Sequence, residues 1–391
     1  MKIAMIGQKG VPTKYGGIER HVEELSAALV SLGHQVVVYT RPHYTDPSLG
    51  EYRGVKLISL PSLHTKHLDA ISHTLLATIH ALFVEKAVDV IHYHGVGPSL
   101  LCFLPRLFKP FVKVVSTFHC VDALHGKWNW FARLTLRLGE WMSVSAPHAT
   151  IAVAESLKHY CEIKFGKSPT YIPNGILNAN EFLSDCEFTK RFQLLPKQYV
   201  VLVQRLVKHK GVHYLLDAWK DVLTAYPLVI VGGSAYTDDY VASLKQQVKD
   251  LGLERKVKFL GYRQGAELAS LMKNACLFVS PSTTEGLPIA VLEAMSVGTP
   301  VLLSDIPEHL EVLRDDNGSV RYGFTFQNQS ATSLAAELSK LFQQLDTVAE
   351  IGKSAELRVK AKYNWDMIVH QTESLYQSLL EPRTIRKEKY A

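Results

Sequence analysis

Apolar residues follow two different periods along this chain. Short apolar runs, such as residues 2–7, have the character of buried strands. Between these runs, apolar residues recur every three or four positions, as on one face of a helix. The first helical segment ends at Gly33, and its apolar face consists of Ile18, Val22, Leu25, Leu29 and Leu32. Strands that alternate with helices predict βαβ units and a parallel sheet.

The alternating pattern occurs in two series, separated by the turn Pro173-Asn174-Gly175 and an irregular polar segment that extends to Pro196. The first series predicts strands at residues 2–7, 35–40, 55–60, 88–94, 112–118 and 150–153. The second predicts a helix at 212–223 and strands at residues 199–203, 228–231, 257–260, 276–280 and 300–303.

Two such series in 391 residues predict two doubly wound α/β domains. We place these domains at residues 1–172 and 173–364, and expect the amphipathic helix at 365–382 to pack back on the first. Ligands of doubly wound sheets bind at the carboxyl ends of the strands. The cleft between the two domains is therefore the predicted active site.

Composition and charge narrow the class of protein. Hydrophobic residues make up 47% of the chain and charged residues 20%, the balance of a globular protein. The net charge of +6 suits an anionic ligand such as a nucleotide diphosphate, or an acidic membrane face, although a surface of mixed charge explains it equally well. We expect no nucleic-acid partner.

Five scattered cysteines without a C-x-x-C pair argue against a disulfide framework or a zinc site and favour a reducing compartment. The N-terminal apolar run is too short for a signal peptide. The longest apolar stretch nearby, residues 75–84, is shorter than the ~20 residues of a membrane span. We therefore expect a cytoplasmic protein that is soluble or, at most, peripheral on the inner face of the membrane.

The most informative segment of the chain contains two glutamates, Glu285 and Glu293, eight positions apart. On one helix they would be ~2.2 turns apart and on different faces. Pro288 fits the first turn of a helix, which places Glu285 in the preceding loop and Glu293 in the second turn. The N–H groups of Gly286 and Leu287 would then meet an anion at the positive helix end. An amphipathic helix with two solvated glutamates is the alternative that this spacing leaves open.

Two further segments suit a diphosphate. The loop after the first strand opens a helix with Gly16 and Gly17, where a backbone approaches phosphate closely, but its glycine spacing is not the G-x-G-x-x-G of dinucleotide sites. The segment 204–211 offers Arg205 as a bidentate donor and Lys210 as a point charge. A tight turn and a basic surface run are the alternatives.

Histidines occur at the ends of two first-domain strands. His119 closes the segment Ser116-Thr117-Phe118-His119. His92 and His94 form an H-x-H pair that would suit a metal ion, but the sequence identifies no third ligand. We therefore predict no metal site, and a single histidine among 17 is more often structural than functional.

These segments together resemble glycosyltransferase family 4, the retaining enzymes of the GT-B fold, in which two Rossmann-like domains face a central cleft. Residues 281–294 resemble the family's E-x7-E signature, residues 204–211 its G-R-L…K-G motif and residues 117–119 its T-x-H motif. Gln204 stands where the family usually has glycine. The resemblance extends from Met1 to about Ile368, with the motifs in the family's order.

The resemblance implies a role for each matched residue. Glu285 would contact the hydroxyls of the donor sugar, and Glu293 those of the ribose. Arg205 and Lys210 would bind the pyrophosphate, and His119 would lie near the transferred sugar. The remaining donor-binding candidates, from the glycine loop, the loop before the second glutamate and the loop expected to select the base, are Gly16, Gly17, Gly286, Leu287, Pro288 and Tyr262.

The implied activity is transfer of a hexose-type sugar from a nucleoside-diphosphate sugar to a saccharide or lipid-linked acceptor, as in cell-surface polysaccharide synthesis. No two aspartates have the D-x-D spacing that holds a divalent ion in the other major glycosyltransferase fold. We expect no cofactor and no metal, since Arg205, Lys210 and helix N-termini can neutralise the departing diphosphate. A sugar-nucleotide epimerase, a glycoside phosphorylase and a non-catalytic nucleotide-sugar-binding protein are the alternatives; an NAD-dependent enzyme fits least.

Residues 127–137 combine aromatic residues, leucines and arginines at helical spacing, and residues 103–113 have a similar character. Such segments suit an anionic membrane face, which would bring a lipid-linked acceptor to the first domain. Helices packed on the first sheet with basic outer faces are the alternative.

Overall fold

The computed structural model describes residues 1–65, 68–121, 130–176, 191–235 and 237–381. Its first sheet has eight strands, in the spatial order β3-β4-β2-β1-β5-β6-β7-β8, and only the β3–β4 pair is antiparallel. The strands are β1 (Lys2–Ile6), β2 (Gln35–Thr40), β3 (Glu51–Tyr52), β4 (Val55–Ser59), β5 (Val90–His94), β6 (Lys113–Phe118), β7 (Ala149–Ala152) and β8 (Thr170–Tyr171). The helices are α1 (Gly17–Ser31), α2 (Asp69–Phe83), α3 (Val96–Ser99), α4 (Phe103–Phe108), α5 (Trp130–Ser145) and α6 (Glu155–Phe165).

The second sheet has six parallel strands in the order β11-β10-β9-β12-β13-β14. They are β9 (Val200–Val203), β10 (Leu228–Val231), β11 (Val257–Gly261), β12 (Leu277–Ser280), β13 (Val301–Ser304) and β14 (Phe324–Phe326). The helices are α7 (Val212–Trp219), α8 (Asp238–Asp250), α9 (Gly265–Lys273), α10 (Ile289–Ser296), α11 (Pro307–Leu313), α12 (Ala331–Phe342), α13 (Leu345–Lys362) and α14 (Trp365–Leu380), and a 3₁₀ turn spans Lys208–Lys210. The predicted fold class, two doubly wound parallel sheets, is confirmed.

Each sheet is buried on both faces, which explains why its strands have apolar runs instead of an alternating pattern. Successive residues of β1 point into two different cores. Ile3 and Met5 join the core beneath α1, whereas Ala4 and Ile6 join the core on the opposite face. Because both faces are covered, strand edges and loop ends are the places left for polar chemistry.

The last helix, α14, returns to the first sheet. Its residues Ile368 and Tyr376 are fully buried in the same core as α1. The chain crosses between the sheets twice, and the two crossings meet where the Ile176 N–H donates to the Tyr363 carbonyl at 2.9 Å. Gly175 lies against the Trp365 ring so closely that a Cβ would approach it to 2.5 Å, so this crossing requires glycine.

Most predicted strands appear within two residues of their predicted bounds, and three short strands, β3, β8 and β14, were not predicted. The helix predicted at 212–223 was too long, because it ends at Trp219 and Leu223 is 97% exposed. The predicted irregular segment falls largely on residues 177–190, outside the described residues, as do residues 127–129 of the predicted membrane segment and residue 382 of the predicted last helix. Within the described ranges, no helix combines the length and the apolar character needed to cross a membrane.

Candidate active site

The strand order itself locates the site. In the second sheet the chain leaves β9 toward one edge and later returns through β12 toward the other, so the order reverses between these two neighbours. The first sheet reverses in the same way between β1 and β5. Loops that follow strands at such points diverge and leave a crevice between them. A cavity of about 400 Å³, a size suited to a small ligand, is lined by loops of both sheets.

A buried ion pair joins the loops that follow β9 and β12. The ammonium of Lys210 contacts the carboxylate of Glu285, and their side chains are only 13% and 10% exposed. Burial by itself would raise the pKa of Glu285, but the charge of Lys210 outweighs it and the pKa falls to about 2. Thr283 fastens the two loops together, since its N–H and its hydroxyl both donate to the His209 carbonyl, at 2.8 and 3.1 Å. Glu285 is therefore ionised at neutral pH and is held in place.

Gln204, the residue that departs from the family's usual glycine, supports this same loop. Its side-chain amide donates to the Lys210 carbonyl at 2.7 Å, and the Ser282 hydroxyl donates to its side-chain oxygen at 3.4 Å. The next residue, Arg205, is exposed at the cleft. The Gln204 side chain thus joins the loops that follow β9 and β12 through hydrogen bonds that a glycine could not make. Arg205 and Lys210 still lie at the cleft.

Glu293 lies in the second turn of α10, as predicted, and partly faces the cleft. Burial raises its pKa, and the positive charge of Arg20 offsets this only in part, since the nearest Arg20 nitrogen is 3.9 Å away. The two glutamates therefore differ in kind: Glu285 is fixed by a lysine, whereas Glu293 keeps hydrogen-bonding capacity for a ligand.

Pro288 differs slightly from its predicted place. It precedes α10 in an extended conformation, with φ −77° and ψ 93°, and does not lie within the first turn. Its carbonyl already accepts hydrogen bonds from the N–H groups of Val291 and Leu292, at 3.0 and 3.1 Å, so it acts as the cap residue. The Asn174 amide donates to the Leu287 carbonyl at 3.0 Å and ties this loop to the inter-domain crossing.

The two walls of the cleft touch at Gly286. A Cβ on this glycine would lie 1.8 Å from the carbonyl oxygen of His119, so only glycine allows this approach. Opposite α10, Gly17 opens α1, and its Cβ position is 3.6 Å from the side chain of Ile289. Gly16 precedes it with a φ of 109°, a conformation that side chains rarely adopt. The first turn of α1 therefore lines the cleft, with the Glu19 carboxylate close to Gly16.

Aromatic rings span the mouth of the cleft. Tyr262 follows β11 and stacks on Tyr15 of the first-domain loop, with ring centroids 5.6 Å apart and planes inclined by 27°. The Tyr262 hydroxyl donates to the Ser234 carbonyl at 2.8 Å. Such a pair offers a flat apolar surface next to the phosphate-binding candidates.

Behind His119 lies a group of buried histidines. His119 Nε2 is 3.2 Å from His94 Nδ1, and His21 of α1 packs on both rings, with centroids 5.0 and 5.6 Å away. His92 is also buried, but its two nitrogens already contact the Tyr376 and Thr117 hydroxyls, at 2.6 and 2.7 Å. Burial lowers the pKa of His21 to about 4 and holds the pKa values of His94 and His119 well below the ordinary range. These imidazoles are neutral at pH 7.

The structure brings every predicted site residue to one cavity. Those that line it are Gly16, Gly17, His119, Arg205, Lys210, Tyr262, Glu285, Gly286, Leu287, Pro288 and Glu293. Sequence reasoning missed Tyr15, Arg20 and Asn174, which line it too. Arg20 carried one usable signal, since a cation in the first turn of a helix opposes its dipole and calls for a compensating reason.

Two family models match the chain, one for each half. The model described as Glycosyltransferase Family 4 matches residues 15–177, which include the first-domain wall of the cleft. The model described as Glycosyl transferases group 1 matches residues 187–358, which include the loops after β9 and β12. Together they cover both sides of the candidate site.

Individual proteins agree with the family models. An uncharacterized glycosyltransferase of Methanocaldococcus jannaschii is 28% identical, over 97% of this chain and 99% of its own length. The phosphatidyl-myo-inositol mannosyltransferase of Mycobacterium leprae is 27% identical, over 93% of both chains. The solved structure of HepE of Anabaena in complex with UDP and glucose shares the fold, with a TM-score of 0.79 and 21% identity over 97% of this chain and 100% of that one. The chain therefore belongs to the GT-B glycosyltransferases of the family 4 type.

Proposed function

We propose that this chain transfers a hexose-type sugar from a nucleoside-diphosphate sugar to a saccharide or lipid-linked acceptor, with retention at the anomeric carbon and without a metal ion. The buried pair Lys210–Glu285 at the strand-order reversal of the second sheet carries this proposal. It sets a fixed carboxylate and a cation side by side, as a sugar and its diphosphate require. The similar fold of HepE, solved with UDP and glucose, supports the same class of donor.

The glutamates would hold the hydroxyl groups of the donor. Glu285, whose pKa is about 2, accepts hydrogen bonds from the sugar hydroxyls without competing protonation. Glu293 accepts those of the ribose, and the ring of Tyr262 lies where the base would enter. Hydrogen bonds to a charged carboxylate are stronger than neutral ones, which suits discrimination among hydroxyl arrangements.

The diphosphate would lie between the two walls. Arg205 and Lys210 supply positive charge from one side, and the N-terminal N–H groups of α1 after Gly16 supply it from the other. The N–H groups of Gly286 and Leu287 complete the anion site. Two cations and backbone N–H groups can stabilise a leaving diphosphate in the place of a divalent ion.

In the proposed transfer, the acceptor oxygen attacks the anomeric carbon from the face that the diphosphate leaves. The carbon–oxygen bond to the diphosphate breaks and the new glycosidic bond forms, while the acceptor hydroxyl proton passes to a diphosphate oxygen. His119, neutral and buried, positions the transferred sugar at its hydroxyls. A glycosyl adduct trapped on Glu285 would contradict this scheme, and so would a product of inverted anomeric configuration.

The first test is thermal stabilisation by UDP, GDP, dTDP and NAD, in EDTA and then with magnesium. We expect one nucleoside diphosphate to raise Tm in EDTA, and Glu293→Ala to abolish that rise. Glu350→Ala, which removes an exposed surface glutamate, is the matched control and should keep it. Stabilisation by NAD alone, or by no diphosphate, would contradict the donor site.

Turnover separates this proposal from its alternatives. A sugar-nucleotide epimerase would return an altered donor, and a binding protein without turnover would return the donor unchanged. Transfer of radiolabelled sugar to a second saccharide or lipid in EDTA supports a metal-independent transferase. We expect a role in cell-surface polysaccharide synthesis, in the cytoplasm at the inner face of the membrane.

An exposed apolar surface on the first domain supports delivery of the acceptor from a membrane. Phe83 at the end of α2 and Phe108 at the end of α4 are 61% and 57% exposed, and their ring centroids lie 6.1 Å apart. Phe111 is 89% exposed, and the Lys109 ammonium lies 5.8 Å from the Phe83 ring centroid. Aromatic residues interleaved with cations are suited to an anionic lipid surface.

Vesicle co-sedimentation tests this surface. The protein should bind vesicles that contain phosphatidylglycerol at low salt, and bind phosphatidylcholine vesicles far less. Phe111→Ser should weaken binding by about 30-fold, because burial of an aromatic side chain contributes about 2 kcal/mol. Leu223→Ser, at a 97% exposed position of the second domain, is the matched control. Equal binding by both variants, or no binding to anionic vesicles, would exclude this surface as the membrane contact.

A further inference from the structure

Three histidines from three different elements converge behind the first-domain wall of the cleft. His21 comes from α1, His94 ends β5 and His119 follows β6. One ring nitrogen of each lies within 4.8 Å of the others, and the residues are 3%, 1% and 7% exposed. We call them the histidine cluster.

One of the spacings within this cluster equals that of a metal site. A tetrahedral zinc ion with Zn–N bonds of about 2.0–2.1 Å holds its ligand nitrogens roughly 3.3 Å apart. His94 Nδ1 and His119 Nε2 are 3.2 Å apart. Two of the ligand atoms are therefore already at coordination separation, and His21 needs only a small shift of its side chain to join them.

His21 also has an unsatisfied atom. Its Nδ1 is buried and makes no direct hydrogen bond among the described residues, although the side chain of Asn174 lies close enough to influence its pKa. A buried polar nitrogen without a partner costs free energy, which a metal ion could recover. The ring of His94 is oriented by its other nitrogen, which lies 3.4 Å from the Met5 sulfur. The neutral imidazoles of the cluster are in the form that binds zinc.

A second group with metal-ligand spacing, His43, His64 and Asp69, is less suited. Its carboxylate already accepts from Arg41 at 2.6 Å and from the Ser62 hydroxyl at 2.6 Å. A cation there would compete with a guanidinium for the same oxygens. No cation contacts the histidine cluster among the described residues, and its neighbours include the neutral side chains of Met5, Asn174 and Trp365.

We propose that His21, His94 and His119 bind one Zn²⁺ ion, with a fourth position open to the cleft, and that this ion blocks sugar transfer. His119 lines the cavity and gives the ion its entry path. Water or a donor phosphate oxygen would supply the fourth ligand. Magnesium prefers oxygen ligands and does not compete for three imidazoles. Binding is independent of the proposed function, whereas the block of transfer rests on the proposed place of His119 beside the sugar.

Metal binding is tested directly, without donor or acceptor, on the full chain freed of metal by chelation. Titration with Zn²⁺ by calorimetry, and with Co²⁺ by visible absorption, should give one ion per chain and the intense band of tetrahedral cobalt. His21→Asn should weaken zinc binding by at least about 100-fold, because loss of even an indirect partner of a metal ligand costs 10–100-fold. His159→Asn, an exposed histidine on α6, is the matched control and should bind like the unaltered protein.

His94→Asn provides a second removal, and circular dichroism at each step shows whether a variant is folded. Absence of a stoichiometric ion, or equal binding by folded His21→Asn and the control, would overturn the site. In the transfer assay, zinc should inhibit and EDTA should reverse the inhibition, with the inhibitory concentration rising in His21→Asn as binding weakens. If zinc binds but does not inhibit, the proposed inhibition of sugar transfer is wrong and the proposed zinc-binding site stands. UDP stabilisation in EDTA reports on the donor site separately, so the two proposals can fail independently.

Discussion

The two walls of the cleft handle burial in opposite ways. On the second-domain wall, Glu285 is buried beside Lys210, and its pKa falls to about 2. Behind the first-domain wall, His21 is buried without a carboxylate partner, and burial lowers its pKa to about 4. Both shifts are downward, yet one keeps a charge and the other removes it.

The difference follows from what each wall packs beside its titratable group. Desolvation always disfavours the charged form, so a buried group stays ionised only where an opposite charge outweighs that penalty. The second-domain wall contains one such pair, Lys210–Glu285, and suits a ligand that is permanently charged. The first-domain wall contains Arg20 and glycine backbone, and the neutral imidazole of His119 at this wall suits the uncharged sugar. Substitutions at each wall test this division, and the largest effect is expected at the buried ion pair.

Removal of the lysine from the charged wall should have the greatest consequence. Lys210→Met leaves Glu285 buried without its partner, and we expect the free energy of unfolding to fall by about 3 kcal/mol. Sugar transfer should fall by about 10³-fold, since a cation that stabilises the leaving group is lost. Urea denaturation and steady-state transfer kinetics measure the two effects.

A double variant separates the structural part of this effect from the catalytic part. Lys210→Met with Glu285→Gln removes both charges, so stability should return to within about 1 kcal/mol of the unaltered protein while transfer stays low. Lys353→Met, which breaks an exposed pair with Glu350, should change stability by less than about 0.5 kcal/mol. Recovery of transfer in the double variant would show that the pair is structural only.

Substitution at the contact between the two walls should have the next largest effect. Gly286→Ala places a Cβ 1.8 Å from the His119 carbonyl oxygen, so the cleft must open or the loop must shift. A displacement of about 1 Å at reacting groups costs about 100-fold in rate, and we expect transfer to fall by that factor. Gly50→Ala, at a glycine with open space around its Cβ position, is the control. Unchanged transfer in Gly286→Ala would mean that catalysis does not need this approach of the walls.

The sequence was enough to predict the fold and one wall, because both depend on local patterns. Apolar runs flanked by helical periods indicate buried parallel strands wherever they occur. The roles proposed for Glu285 and Arg205 rest on short motifs that directly follow strands, where the order of a doubly wound sheet places ligands. The position of such a motif in the fold can therefore be predicted from the strand that precedes it.

On the other wall Gly16, Gly17 and His119 were predicted, but the histidine cluster was not, because its contacts are not local in the sequence. His21 and His119 are 98 positions apart in the sequence, and only the packing of α1 against the sheet brings them together. The H-x-H pair drew attention to His92 and His94. Residues two positions apart in a strand point to the same face, so the sequence pattern could not distinguish the two histidines. The structure distinguishes them by their partners: His92 is satisfied by two hydroxyls, and His94 by His119.

Burial of the neutral His21 imidazole should make the free energy of unfolding decrease in acid. The pKa of His21 is lowered to about 4 in the folded chain, against 6.5 when unfolded, so the unfolded chain binds more protons between these values. Above pH 6.5 the imidazole is neutral in both the folded and the unfolded chain, and its burial costs no stability through protonation. As pH falls from 6.5 toward 4, the free energy of unfolding decreases. Between pH 7 and 5 this histidine should account for about 2 kcal/mol of lost stability.

Urea denaturation at pH 7 and at pH 5 measures this loss. His21→Asn should reduce the difference between the two pH values by about 2 kcal/mol, whatever its effect on stability at pH 7. His159→Asn, at an exposed histidine, should leave the difference unchanged. An equal loss in all three proteins would show that His21 is not desolvated in the folded state.

The smallest expected effect concerns Gln204, where this chain departs from the family pattern. Its amide holds the Lys210 carbonyl at 2.7 Å, and Gln204→Gly restores the usual residue while removing that hydrogen bond. A net hydrogen bond contributes about 1 kcal/mol, so transfer should fall about five-fold through looser placement of the lysine. Because the bond positions Lys210 and does not touch the donor, kcat should fall more than KM rises. A gain in transfer would mean that the bridge holds the lysine away from its best position, and that the charged wall is set by the loop backbone alone.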